Sequence, residues 1–63
     1  MSFRFVHLVK GNSGVRVESK AALRRLVMRE LRVSVGFVLS CEERELFDFL
    51  YQHGWNTSHA DWN

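Results

Sequence analysis

Cys41, His53, His59 and Asp61 are the residue types that bind transition metals. Thiolate, imidazole and carboxylate together make a donor set suited to zinc. Zinc sites show tight paired spacings such as C-x2-C or H-x3–5-H. Here the one approximate match is His53 with His59, and Cys41 stands at the opposite end of the helix expected to carry His53. A helix of that length separates the two by roughly 18 Å, so no metal centre is expected. At a helix N-terminus Cys41 would gain some thiolate stabilisation. A nucleophile also needs a base, an oxyanion site and a pocket, and 63 residues leave little interior for one. His7 and Glu18 face each other in the expected hairpin like a base and its orienting carboxylate, but the pairing is equally an ordinary cross-strand contact. The four glycines are dispersed and form no phosphate-binding loop. The chain is read as non-catalytic, with no cofactor and no metal.

Binding chemistry is better represented. Residues 1–32 carry a net +6 and residues 33–63 a net −4, a dipole that steers and orients encounters without naming a partner. Lys20, Arg24, Arg25, Arg29 and Arg32 lie on one expected helix. They are candidate contacts for nucleic acid or an acidic partner, since arginine grips phosphate bidentately. The plainer reading is a solvated helix face, and the acidic second half opposes a uniform nucleic-acid footprint. Adsorption to a membrane is disfavoured because the helix lacks flanking aromatic anchors. The second candidate surface is Phe3, Phe5, His7 and Val9, which alternate along one strand. If both expected helices cover the opposite face, these four form an exposed apolar patch of the kind that marks contacts. Two phenylalanines are few for a platform that stacks nucleobases, so a protein partner or a homodimer is favoured there.

The elements that must position these residues follow from local pattern. Phe3–Val9 is aromatic and β-branched, and reads as a strand. Gly11-Asn12-Ser13-Gly14 is a turn signal, and Val15–Glu18 alternates as a second strand. With the turn centred on Asn12-Ser13, Lys10 faces Val15, Leu8 faces Val17 and His7 faces Glu18. Ser19 is placed to cap a helix over about 20–32, whose stripe is Leu23, Leu26, Val27 and Leu31. Glu30 sits at the edge of that stripe and is expected to pair with a nearby arginine or reach solvent. Val33, Val35, Phe37 and Leu39 alternate and predict a third strand. The expected core is Val6, Leu8, Val17, Leu23, Leu26, Val27, Leu31, Val35, Phe37, Leu46, Phe49 and Leu50. Ser40 and Glu43 fit a capping box for a helix over 41–53, which Gly54 would stop. Trp55 is a candidate to fold back on that helix. The segment 56–63 shows no periodicity and is expected to fray.

The expected fold is therefore a single small α+β domain over 1–55 with a flexible tail over 56–63. Its order is ββαβα, and a three-stranded antiparallel sheet has strand 1 at its centre and two helices packed on it. One cysteine allows no internal disulfide, and a chain this short is marginal alone. A cytoplasmic, reducing setting is the default, and no apolar run approaches the ~20 residues that span a bilayer. The functional expectation is a binding module working through protein contact, as a stoichiometric regulator, inhibitor or assembly factor. The alternative is a nucleic-acid-binding regulator that uses the basic helix.

Overall fold

The structure is a computed structural model that describes residues 3–62. Met1 and Ser2, which open the expected domain, and Asn63, which ends the expected tail, lie outside the described residues. The elements in chain order are β1 (Phe3–Lys10), β2 (Ser13–Val17), α1 (Lys20–Leu31), α2 (Val35–Leu39), α3 (Glu43–Gln52) and β3 (Asn56–Trp62). The strands form one sheet in the order β2-β1-β3, with β1 central and antiparallel to both neighbours. The α+β class and the central first strand are as expected. The order is not: ββαααβ replaces ββαβα, because the third strand is 56–62 and not 33–39.

The hairpin turns one residue earlier than its sequence suggested. Lys10 pairs with Ser13, Leu8 with Val15 and Val6 with Val17, leaving Gly11-Asn12 as the loop. Gly11 has φ 58° while Asn12 stays negative, which is the type II′ pattern that matches strand twist. A slip of two residues in the pairing keeps every side chain on its expected face. It does change neighbours: His7 now lies opposite Arg16, not Glu18.

Two irregularities shape the β1–β3 ladder. Phe3 pairs with Trp62 and Phe5 with Asp61, so Arg4 is an extra residue on β1. His7 pairs with His59 and Leu8 with Thr57, so Ser58 is an extra residue on β3. A bulge resets the alternation of the strand that carries it. Phe3 is thereby turned to the same side as Val6 and Leu8 and is only 8% exposed. The expectation that Phe3 shares an exposed face with Phe5 is corrected by this bulge.

The helices cover one side of the sheet. The Ser19 hydroxyl accepts from the Ala22 N–H at 3.1 Å and starts α1. Arg32 ends it in the left-handed region, φ 57° and ψ 45°. The Ser34 hydroxyl then accepts from the Phe37 N–H at 3.2 Å, so a new helix nucleates where a strand was expected. Ser40 closes that helix by donating from its hydroxyl to the Phe37 carbonyl at 2.7 Å. The capping box of α3 lies two residues beyond the expected one, with the Glu42 N–H donating to Glu45 Oε1 at 2.9 Å. Gly54 ends α3 with φ 93°, as its position predicted.

The core joins Val6, Leu8 and Val17 of the hairpin to Leu23, Leu26 and Val27 of α1 and Leu46 and Leu50 of α3. Val38 is the one buried residue of α2. Phe3, Phe47 and Trp55 complete the core, although none was expected there. Val35 and Phe37, expected inside, are exposed, and Leu31 and Phe49 are half-buried. Trp55 turns its indole to α1 rather than back on α3 as expected: Nε1–H donates to Glu30 Oε1 at 3.0 Å. Glu30 also lies 3.7 Å from Lys10 Nζ and 3.6 Å from Arg29 Nε. A carboxylate at the edge of an apolar stripe is thus held by three donors. Among the described residues, no helix is long and apolar enough to cross a membrane.

Candidate interaction surfaces

The groups that suggested catalysis are kept apart by the fold. Glu18 is engaged by Arg16, whose Nε lies 2.6 Å from Glu18 Oε2. His7 Nδ1 sits 3.2 Å from the Ser58 hydroxyl, so the expected His7–Glu18 pair does not form. Cys41 is half-buried between α2 and α3, and its Sγ donates to the Phe37 carbonyl at 3.2 Å. His53 closes α3 with Nδ1 3.0 Å from the Phe49 carbonyl, while His59 is on β3. Among the described residues, no three metal-ligating side chains come together.

The basic residues of α1 do not form one stripe. Arg25 and Arg29 are four residues apart and share the outward face of α1, Arg32 follows the helix in the left-handed region, and all three are exposed. Arg29 is drawn toward Glu30. Arg24 is half-buried, and its Nε is buried without a hydrogen-bond partner. Lys20 lies across a groove from Glu42, Glu43 and Asp48 of α3, whose apolar wall is Phe47, Tyr51 and Trp62. The outward cationic face therefore reduces to three arginines.

The sheet face opposite the helices carries Phe5, His7 and Val9 from β1, Gly14 and Arg16 from β2, and His59 and Asp61 from β3. It is less apolar than the sequence implied. Phe5 and Val9 are half-buried. The Arg16 guanidinium lies over the Phe5 ring, 4.0 Å from its centroid. The His59 ring approaches Phe5 from the other neighbouring strand, with centroids 5.4 Å apart. The His7 ring lies over Gly14, where an added Cβ would meet His7 Nε2 at 3.3 Å. His59 was missed as a member of this face because β3 was not expected. The expected apolar patch is instead a face of flat polar groups, with Arg16 and His59 resting on Phe5 and His7 over Gly14.

The largest apolar exposure is elsewhere, on α2. Val35 is 57% exposed, Phe37 41% and Leu39 58%. Val35 and Leu39, four residues apart, share one face of this short helix, whereas Phe37 lies on the other side of it; only Val38 reaches the core. Phe37 rests against Phe49 of α3, with ring centroids 5.6 Å apart, so this short helix is braced on the third helix. Sequence reasoning had placed Val35 and Phe37 inside, so it missed this surface. The available signal was the density of large apolar residues over 33–39 beside a helix pair that already had a full stripe.

No protein-family model, curated protein or solved structure matches this chain.

Proposed function

We propose that this chain is a small non-catalytic binding module that acts through protein–protein contact, as a stoichiometric regulator, inhibitor or assembly factor. The contact surface in this reading is the α2 ridge of Val35, Phe37 and Leu39. The observation that carries it is their exposure. Three large apolar side chains on five consecutive residues are costly to leave in water; Val35 and Leu39 present one exposed apolar face, the kind of surface that marks contact sites, with Phe37 at its flank. The ridge is also preorganised, being capped at both ends by Ser34 and Ser40, which lowers the ordering cost of association. Cys41, the one cysteine, supports a reducing, cytoplasmic setting.

The test compares the wild-type chain with a Val35→Ser/Leu39→Ser variant. Both are tagged, expressed in the native host, crosslinked and recovered. The expected result is a defined partner at fixed stoichiometry that the variant loses while its circular dichroism is unchanged. If a second copy is the partner, light scattering will report a concentration-dependent dimer that the variant abolishes. Recovery of the same partner by both proteins, or of none by either with no dimer, overturns the reading.

A second reading, a nucleic-acid-binding regulator, is supported by the exposed Arg25 and Arg29 on α1 with Arg32 just beyond its end. Replacing all three with Gln would reduce the slope of log affinity against log salt by about 2–3 if they contact phosphates. An unchanged slope removes α1 from consideration.

A further inference from the structure

We propose that the open face of the sheet is a second binding site, a stacking platform for single-stranded nucleic acid. This does not rest on the α2 ridge, which belongs to the helical layer. The argument starts from the kind of groups the face presents. Three planar π systems sit on the open side of adjacent strands: the Arg16 guanidinium on β2, the His7 ring on β1 and the His59 ring, tilted 48° to Phe5, on β3. Phe5 lies beneath two of them. It holds Arg16 at 4.0 Å on one side and His59 at 5.4 Å on the other. Gly14 keeps the His7 ring low, since any side chain there would lift it. Flat groups spread over a three-stranded sheet suit unstacked bases, which proteins take up on histidine, aromatic and arginine planes. Aliphatic partners suit this face poorly, because Val9 is its one aliphatic side chain and is half-buried.

Charge is compatible with a polyanion. The two carboxylates associated with the face are neutralised on it: Glu18 by Arg16 at 2.6 Å and Asp61 by Arg4 at 3.7 Å. Arg16 uses Nε for Glu18 and stays exposed. The acidic residues that made a nucleic-acid footprint doubtful, Glu42, Glu43, Glu45 and Asp48, all belong to α3 or its cap, and α3 lies on the helical side. The net charge of the chain is +2, which favours approach at low salt.

The experiment is fluorescence anisotropy with labelled oligo(dT) and oligo(U) of about 12 nucleotides, the length scale of one small binding fold, and with a duplex of equal length. Low-salt binding of both single strands, with the duplex weaker, is expected. Arg16→Lys is the decisive variant, because it keeps the charge and removes the plane. Arg16→Lys and His59→Gln are each expected to weaken binding about ten-fold, the scale of one stacking contact. Phe5→Leu, which keeps apolar bulk beneath the platform, is expected to weaken it as well. Circular dichroism confirms that each variant is folded. The proposal is overturned if no single strand binds at low salt, or if Arg16→Lys and His59→Gln bind like wild type. It is likewise overturned if only the Arg25→Gln/Arg29→Gln/Arg32→Gln variant loses binding, which would assign the contact to α1. A platform variant that alters oligomeric state without altering oligonucleotide binding would assign the face to a second copy.

Discussion

Glu30→Ala is expected to destabilise the fold by about 2–3 kcal/mol, mostly through the indole it leaves behind. Trp55 is 4% exposed, and its Nε1–H has Glu30 Oε1 as acceptor at 3.0 Å. A hydrogen bond to a charged group contributes roughly 1.5–3 kcal/mol, and a buried donor left without a partner costs about 1–3 kcal/mol. The two ion pairs of Glu30 add little. Lys10 and Arg29 lie at 3.7 and 3.6 Å, and their side chains are 45% and 68% exposed, so each contributes about 0–0.5 kcal/mol. Glu30→Gln keeps an acceptor for the indole and is expected to cost only about 0.5–1 kcal/mol. The assay is urea unfolding followed by far-UV circular dichroism, which reads Trp55→Phe variants on the same scale as wild type. With a urea slope near ~1 kcal/mol/M for a small domain, Glu30→Ala lowers the midpoint by about 2 M. In the Trp55→Phe background there is no indole donor to strand, so Glu30→Ala should cost about 1–2 kcal/mol less there. Equal costs in the two backgrounds, or Gln as damaging as Ala, would refute this account of Glu30.

Arg32 closes α1 in the left-handed region, where a Cβ is strained, so Arg32→Gly is expected to raise stability by about 0.5–1 kcal/mol in the same titration. Gly11→Ala places a Cβ at φ 58° and is expected to cost about 1 kcal/mol or more. Leu26→Ala empties a core position between α1 and the sheet and is expected to cost about 2–5 kcal/mol, close to the whole stability of a domain this size. The amides of β3 that pair with β1 are expected to be protected in hydrogen exchange; exchange as fast as an unfolded peptide would remove β3 from the fold.

The sheet was legible in part because β1 is apolar on both faces, which calls for a central position. The strand that fills the third place was not. Asn56–Trp62 has few apolar residues: Ala60 packs partly against the core, and the exposed Trp62 ring meets the core rings of Phe3 and Phe47 edge-on. An edge strand needs little more, and its polar outer face resembles a loop in sequence. Val33–Leu39 failed in the opposite direction. Its period-two alternation is a strand signal, but a short apolar run is ambiguous between strand and helix. Here Ser34 decided it by capping the Phe37 amide. The α1 stripe and the Gly54 stop were readable because helical periodicity and C-terminal glycine act locally. The two surfaces were harder. The α2 ridge depends on the strand-to-helix reversal, and the sheet platform needs His59, which reaches Phe5 only once β3 is paired. The Phe3 placement depends on a bulge at Arg4 that no local pattern marks.

The β1–β3 ladder joins the two ends of the described chain, with Phe3 opposite Trp62. The hairpin and helices are built from near neighbours in sequence, but this ladder closes a loop that encloses nearly everything else. Closing a long loop costs chain entropy before any ladder bond offsets it, and such distant contacts slow folding. Until β3 arrives, β1 presents an unpaired edge in the middle of what will be the sheet, the kind of edge that templates aggregation. During synthesis that interval lasts until residues 56–62 have emerged. The third strand therefore acts as the lock on the first.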